Sequence, residues 1–299
     1  MKKQTVLAGF CAILGNLFWG ISFLFIRTAM DVAAPELLLS HRFTLAALCM
    51  SIPLLLGKQK LSFRGKKIVP MLLMMLSQIA YYLGESYALQ HTSSTIAGLV
   101  LAVVPIVTIG TGALFLKEYP TKRQAFFCLM PVAGVIVMTV AGKELGVVNL
   151  PGLLLLAVAL LSSAFYKTAN RKAAQTFSAY ERTLLVMVIS AVFFSVSGLN
   201  SVGWDLGQFV APLANSGYLF SVLSLCLLCS VGANLLVNYA AGQMSVFKVS
   251  SFGAISTLCT MVAGILFLKE PVSWTLLLGA ALILVGIRQV TKPEPGKIE

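Results

Sequence analysis

One seven-residue segment occurs twice in this 299-residue chain and sets its organisation. Gly112–Glu118 reads Gly-Ala-Leu-Phe-Leu-Lys-Glu, and Gly264–Glu270, which follows 152 residues later, differs from it at one position. The downstream glycines Gly134 and Gly286 are separated by the same offset. A repeat with a period near half the chain indicates a duplicated half, so the fold must be built from two related units.

The composition places both units in a membrane. Hydrophobic residues make up 58% of the chain and charged residues only 11%, whereas about a quarter of a soluble globular chain is charged. The net charge of +12 does not indicate nucleic-acid binding, because the basic residues cluster in short loops between apolar runs. We therefore expect a polytopic membrane protein whose counter-charge is the lipid bilayer.

The apolar runs predict ten transmembrane helices. A span needs roughly 20 apolar residues, and these runs show no strand-like alternation. The predicted spans are about 6–29, 35–56, 68–90, 94–116, 124–142, 149–168, 183–199, 215–240, 246–268 and 272–290.

The distribution of Lys and Arg predicts the orientation. With the N-terminus in the cytoplasm, 18 of the 22 basic residues fall in cytoplasmic segments, as the positive-inside rule requires. We expect a multi-pass protein of the cell (inner) membrane with both termini cytoplasmic and an unstructured cytoplasmic tail at 292–299. Because no convincing cleavage site follows the long first run, we read it as a retained helix rather than a signal peptide.

Five helices in each half give the two halves opposite orientations. The predicted fold is an all-α membrane protein with ten transmembrane helices, arranged as two inverted five-helix repeats (1–143 and 144–291) around a central cavity. Inverted repeats are common in secondary transporters, whose substrate site lies between the repeats near the midplane. Alternating access makes use of this symmetry, and we expect a transporter rather than an enzyme.

Several short segments carry a resemblance to a known family. They are the two Leu-Phe-Leu-Lys-Glu segments, Gly279–Gly286, Asn16–Gly20 (Asn-Leu-Phe-Trp-Gly), Arg42 and Pro105. On these residues the chain resembles the EamA type of the drug/metabolite transporter superfamily over nearly its whole length. The resemblance implies a ten-helix carrier of small metabolites, often an exporter of amino acids or related solutes. It also implies a cavity lined by helices one, three, four, six, eight and nine.

Polar residues inside the spans are the candidate substrate site, because they are costly in lipid. Gln78, Tyr81, Tyr82 and Glu85 share one face of the third span, and the matching positions of the eighth span are also polar. The alternative is that these side chains only form hydrogen bonds between helices. The candidate substrate-binding residues are Asn16, Trp19, Ser22, Gln78, Tyr81, Tyr82, Glu85, Ser162, Tyr166, Ser230, Asn234 and Asn238.

Five side chains have individual predictions. Glu85 and Arg42 are expected at similar depths, where they would form an ion pair or a proton or substrate-amine site. Pro105 lies mid-span and is a candidate gate hinge. Glu118 is expected at the cytoplasmic surface, paired with a lysine or with helix-end amides. His41 is expected to be exposed near the lipid headgroups.

Other functional classes have less support. An intramembrane enzyme would need a nucleophile–base pair or a cluster of acids for a metal, and a channel usually has a ring of charges or carbonyls. No nucleotide-binding motif is present. Cys226 and Cys229 form a lone Cys-x-x-Cys, which does not suffice for a metal site. We expect a small-molecule substrate, no cofactor, no metal and no nucleic acid, and the sequence leaves the oligomeric state open.

Overall fold

The computed structural model describes residues 2–88, 91–92, 94–140, 149–268 and 274–292, and these residues form an all-helical protein. Helices of the first half are α1 (Lys2–Met30), α2 (Pro35–Leu55), α3 (Ile68–Ala88), α4 (Ser94–Ala102), α5 (Val104–Leu116) and α6 (Lys122–Val140). Those of the second half are α7 (Leu150–Ala173), α8 (Ala179–Ser201), α9 (Leu206–Val210), α10 (Ser216–Ser224), α11 (Ala233–Gln243), α12 (Val246–Ser251), α13 (Ala254–Leu268) and α14 (Trp274–Thr291). A 3₁₀ turn, Ala211–Ala214, precedes α10, and a π-helix, Leu225–Gly232, joins α10 to α11.

Six of the described helices are long and apolar enough to cross a membrane. They have a mean hydropathy of 1.3 to 2.1 over 18 residues, and a helix satisfies its own backbone polar groups inside lipid. Three shorter apolar helices lie at Val104–Leu116, Val246–Thr260 and Leu277–Thr291. The six spans are Gln4–Met30, Pro35–Leu55, Ile68–Ala88, Leu150–Ala173, Ala179–Ser201 and Ser216–Gln243.

Two of the predicted spans are interrupted. The span predicted at 94–116 breaks at Val103, and α5 restarts with Pro105 in its first turn, where proline's missing N–H costs no helical hydrogen bond. The span predicted at 246–268 breaks at Phe252 and Gly253. The second-half match of Pro105 is Thr257, which lies inside α13. The corresponding helix of the second half is thus also broken, but its break lies at a glycine and a few residues before the position that matches Val103.

The first copy of the repeated heptad ends a helix. Lys117 follows α5 with φ 56°, in the left-handed region, and terminates the helix. The Glu118 amide then donates to the Gly112 carbonyl, 3.2 Å away. This turn directs the Glu118 side chain back toward the bundle. Glu270 of the second copy lies outside the described residues.

The two halves pack closely against each other. Helix α3 packs along α7, α2 along α8 and α6 along α14, while α1 packs against α10, the π-helix, α11 and α13. The repeated glycines lie in the α6–α14 contact, where a Cβ on Gly134 would lie 2.6 Å from the Gly279 carbonyl oxygen, and one on Gly286 would collide with Pro131. Small residues permit this close approach.

Candidate functional site

A cavity of about 450 Å³ lies at the centre of the bundle. Residues of both halves line it, and they belong to α1, α2, α3, α4, α5, α6, α7, α11, α12 and α13. The family resemblance anticipated most of these helices, but Arg42 on α2 and Pro131 on α6 extend the lining beyond them. The cavity is therefore bounded by polar side chains within helices that are otherwise apolar.

The cavity brings together nine of the twelve candidate substrate-binding residues. The polar face predicted for α3 lines it, together with the three polar residues of α1. Arg42 and Pro105 also line it. The nine are Asn16, Trp19, Ser22, Gln78, Tyr81, Tyr82, Glu85, Tyr166 and Asn234.

The predicted direct ion pair between Arg42 and Glu85 does not form in this structure. The Tyr81 hydroxyl donates to Glu85 Oε1 at 2.8 Å, while Arg42 Nε donates to Ser230 Oγ at 2.7 Å. The Arg42 guanidinium carbon also lies 5.4 Å from the centroid of the Phe43 ring and 6.0 Å from that of Tyr82. Each charged group thus has a neighbour other than the predicted partner, although both line the same cavity.

The π-helix supplies a backbone acceptor to two residues of the cavity. Trp19 Nε1 on α1 donates to the Cys229 carbonyl at 3.0 Å, and Asn234 Nδ2 donates to the same oxygen at 3.2 Å. The Tyr166 hydroxyl donates to Asn234 Oδ1 at 3.3 Å. π-Helical segments are frequent at functional sites because they change backbone hydrogen bonding locally. Here the segment connects the indole of α1 to the second half.

Three candidate residues lie outside the cavity lining. Ser230 is fully buried behind Arg42 and accepts its hydrogen bond. Asn238 accepts from Asn170 Nδ2 at 2.8 Å and donates to Thr183 Oγ1 at 2.8 Å, so it belongs to a buried network between α7, α8 and α11. Ser162 does not line the cavity, whereas its neighbour Ser163 does, because successive helical residues differ in direction by about 100°.

Two basic residues of the cavity were not predicted as site residues. Lys167 and Arg171 line it. Lys167 lies at the end of the span predicted at 149–168, and Arg171 lies beyond that span on α7, which continues to Ala173. Lys167 Nζ donates to Ser250 Oγ on α12 at 3.2 Å. The signal was present in the sequence: Ser163, Lys167 and Arg171 follow each other at steps of four residues, which places them on one helical face.

Glu118 connects several elements at the Arg171 end of the cavity. Its Oε1 accepts from Arg171 Nε at 2.8 Å, and its Oε2 accepts from the Val246 amide, at the start of α12, at 2.7 Å. Arg171 Nη1 also donates to the carbonyls of Ala241 and Gly242 at the end of α11. The predicted type of contact, a cation and a helix-end amide, is present, but the cation is an arginine and both partners belong to the second half.

Two other polar residues are more buried than predicted. His41 is 4% exposed, and its Nδ1 lies 2.8 Å from the Tyr218 hydroxyl, so the expectation of an exposed histidine is wrong. Arg182, assigned to a cytoplasmic loop, is 2% exposed. It donates to Asn170 and, at 2.6 Å, to the Asn238 carbonyl. Both side chains therefore join helices rather than face solvent.

The EamA-like transporter family matches residues 6–140 and, a second time, residues 150–291. The chain belongs to the EamA-like transporter family. The double match covers nearly the whole chain and agrees with the drug/metabolite transporter superfamily that the repeated motifs indicate. The site described above is thus a polar cavity between two EamA units.

Similar proteins are named as transporters. The uncharacterized transporter YcxC of Bacillus subtilis is 35% identical over 291 residues, which cover 96% of this chain and 93% of that protein. An S-adenosylmethionine/S-adenosylhomocysteine transporter of Chlamydia trachomatis is 26% identical, with 98% and 91% covered. A crystal structure with 19% sequence identity superposes with a TM-score of 0.77, covering 97% of this chain and 96% of that one. This last similarity concerns the fold alone.

Proposed function

We propose that this EamA protein is a secondary-active or facilitative carrier that moves a small organic metabolite across the cell membrane by alternating access. The observation that carries the proposal is the cavity of about 450 Å³, which residues of both halves line at the bundle centre. A volume of this size lies in the range of small-molecule sites, roughly 300–1,000 Å³. A polar cavity inside apolar helices gives a solute a binding site within the membrane.

The helix contacts support two inverted five-helix halves. In the repeat, α3 of the first half corresponds to the Ser216–Gln243 helix of the second half, and α1 corresponds to α7. The contact of α3 with α7 therefore has a counterpart in the contact of the Ser216–Gln243 helix with α1, and both contacts occur. α2 corresponds to α8 and α6 to α14, and each of these corresponding helices packs against its own counterpart. Two-fold related halves have this property, and five spans in each half would make them inverted. We place the halves at 1–143 and 144–291; their junction lies outside the described residues.

We place both termini and the 292–299 tail in the cytoplasm of the cell, in a protein of the cell (inner) membrane. The excess of Lys and Arg in the proposed cytoplasmic segments supports this orientation. Arg182 and Lys248 are only 2% and 6% exposed. They are therefore not surface charges, and the count of cytoplasmic Lys and Arg falls by two. Most of the difference between the two sides remains, so the proposed orientation is unchanged.

The lining favours a solute with an apolar body and several hydrogen-bonding groups. Trp19, Tyr82 and Tyr166 offer ring surfaces with polar tips, and Gln78 and Asn234 offer amides. Amino acids or related metabolites fit this chemistry, and export is the proposed direction. The Chlamydia trachomatis relative is named as a transporter of two adenosyl compounds, and a small organic solute in this cavity is consistent with that name.

Counterflow in proteoliposomes tests the carrier. Purified protein is reconstituted, loaded with an unlabelled metabolite and supplied with the labelled one outside. A carrier gives saturable uptake that depends on the internal solute, a channel gives uptake that does not saturate, and an enzyme changes the labelled molecule. Either of the last two results would contradict the proposal.

A matched pair of variants locates transport in the cavity. Ser163 lines the cavity, and Ser163→Phe is expected to abolish counterflow by filling it. Leu161 is 49% exposed on the same helix, so Leu161→Phe is expected to keep wild-type counterflow. Equal activity of the two variants would place the pathway elsewhere.

A further inference from the structure

The charges of the cavity do not balance. Its described lining contains one acid, Glu85, and three cations, Arg42, Lys167 and Arg171. Glu118, which lies beside the cavity, neutralises Arg171 through a 2.8 Å contact. Arg42 lines the same cavity as Glu85, at a similar depth by the span positions, and offsets its charge. Among the residues that the structure describes, Lys167 is then the lining cation without a compensating acid.

The surroundings of Lys167 are neutral and polar. Its Nζ donates to Ser250 Oγ at 3.2 Å, and that hydroxyl lies 3.4 Å from Thr108 Oγ1, to which it donates. Ser250 and Thr108 are fully buried. In the part of the chain that the structure describes, no carboxylate lies within 4.0 Å of the Lys167 ammonium. The ammonium therefore directs unused donor capacity into the cavity, since it has three N–H groups.

The position of Lys167 also separates it from Glu85. A Cβ on Gly84 would lie 3.0 Å from Ala159 N, and one on Gly152 would lie 3.3 Å from His91 Cβ, so α3 and α7 run antiparallel. Lys167 is eight residues beyond Ala159, or about 12 Å along the helix axis. At that separation Lys167 and Glu85 do not contact each other, and each can bind a different group of one solute.

We propose that the solute carries a carboxylate, which binds the Lys167 ammonium and the Ser250 hydroxyl at the Arg171 end of the cavity. This inference rests on the proposed carrier function and adds a substrate class and a specificity-determining residue to it. An ammonium inside a span is costly when no acid among the described residues pairs with it, and a carboxylate on the solute compensates its charge when the site is filled. A carboxylate is favoured over a phosphate because one unbalanced positive charge matches one negative charge, whereas a phosphate monoester carries about −1.5 to −2 near pH 7.

The experiment compares acids with their amides. Counterflow is measured for methionine, phenylalanine and 4-hydroxybenzoate, each beside its primary carboxamide, which has nearly the same shape and lacks the negative charge. Wild-type protein is expected to exchange at least one acid and to prefer it over its amide about ten-fold or more in kcat/KM, the size expected for a charge-assisted hydrogen bond. Lys167→Met is expected to remove this preference by raising the KM of the acid, and Lys167→Arg to retain most of it.

Lys172→Met is the matched control. Lys172 lies five residues further along α7 and does not line the cavity, so the preference for the acid should persist in this variant. Size-exclusion profiles and thermal unfolding in detergent verify that each variant is folded, and a misfolded Lys167→Met is replaced by Lys167→Gln with the same expectation.

Two results overturn the inference in different ways. If solutes exchange but wild type and Lys167→Met show the same ratio of acid to amide, the carboxylate site is wrong and the carrier function stands. If no member of the panel exchanges, the proposed function fails and this inference fails with it.

Discussion

Replacing Glu118 tests the role of the first repeated heptad. Glu118 is the only side chain described as joining Arg171 to the α12 N-terminus, with contacts of 2.8 and 2.7 Å. Ser245, the residue before α12, makes no side-chain capping bond, and its buried hydroxyl has no partner among the described residues. Glu118 thus takes the place of a local N-cap, and its loss leaves the Val246 amide without an acceptor.

The size of the effect follows from these two contacts. Hydrogen bonds to charged groups contribute about 1.5–3 kcal/mol each, and side-chain exposures of 27% for Arg171 and 20% for Glu118 reduce that by solvent screening. Glu118→Ala, which removes both contacts, is expected to lower the free energy of unfolding by about 3 kcal/mol. Glu118→Gln keeps one acceptor oxygen without its charge and should cost about 1.5 kcal/mol.

Thermal unfolding of purified protein in detergent measures the difference. With roughly 2–4 °C per kcal/mol for a chain of this size, Tm should fall by about 6–12 °C for Glu118→Ala and about 3–6 °C for Glu118→Gln. The control is Asp31→Asn, since Asp31 is an exposed acid in the turn after α1, and its Tm should not move. A Tm within about 2 °C of wild type for Glu118→Ala would refute the reasoning.

Three other substitutions test the site and the packing. Glu85, which accepts a hydrogen bond from Tyr81, is the candidate for a coupling proton, and Glu85→Gln is then expected to flatten the pH dependence of transport. Counterflow between pH 5.5 and 8.5 measures this dependence. An unchanged pH profile in a folded variant would exclude the coupling role. Gly134→Ala should lower Tm because the added Cβ would lie 2.6 Å from the Gly279 carbonyl oxygen. Gly110→Ala is the control and should leave Tm unchanged, since no atom lies within 4 Å of its added Cβ. Similar Tm values for the two variants would contradict the close packing of α6 on α14. Trp19→Phe removes the donor to the π-helical carbonyl 3.0 Å away. It should raise KM, measured by counterflow, about three- to ten-fold with a Tm no more than about 4 °C below wild type; an unchanged KM would show that the indole N–H does not matter for binding.

The sequence predicted the long spans well because burial in lipid acts on every residue of a helix. The polar face of α3 was predictable for the same reason: Gln78, Tyr82 and Glu85 recur at helical spacing inside an apolar run. The same spacing predicted which residues of α1 and α3 line the cavity. For the adjacent serines Ser162 and Ser163 it did not suffice, because only the positions of the neighbouring helices determine which of the two faces the cavity.

The charged residues were harder to place. The positive-inside rule counts every Lys or Arg near the cytoplasmic end of a span as a cytoplasmic charge, so Lys167 and Arg182 were both counted on that side. Whether such a side chain faces solvent or the bundle depends on acceptors from distant segments, here Ser250 for Lys167 and the Asn238 carbonyl for Arg182. The direct pairing predicted for Arg42 and Glu85 does not form for the same kind of reason, because Ser230 and Tyr81 supply other partners.

The packing of one half on the other has a consequence for biosynthesis. Helices α1, α2, α3 and α6 have their main contacts with helices that begin after residue 149. During synthesis these early helices enter the membrane before those partners exist, so lipid or an insertion factor must cover their polar faces until the second half arrives. The bundle therefore assembles late and as a whole, and a chain truncated after α6 would retain inserted helices without a stable tertiary structure.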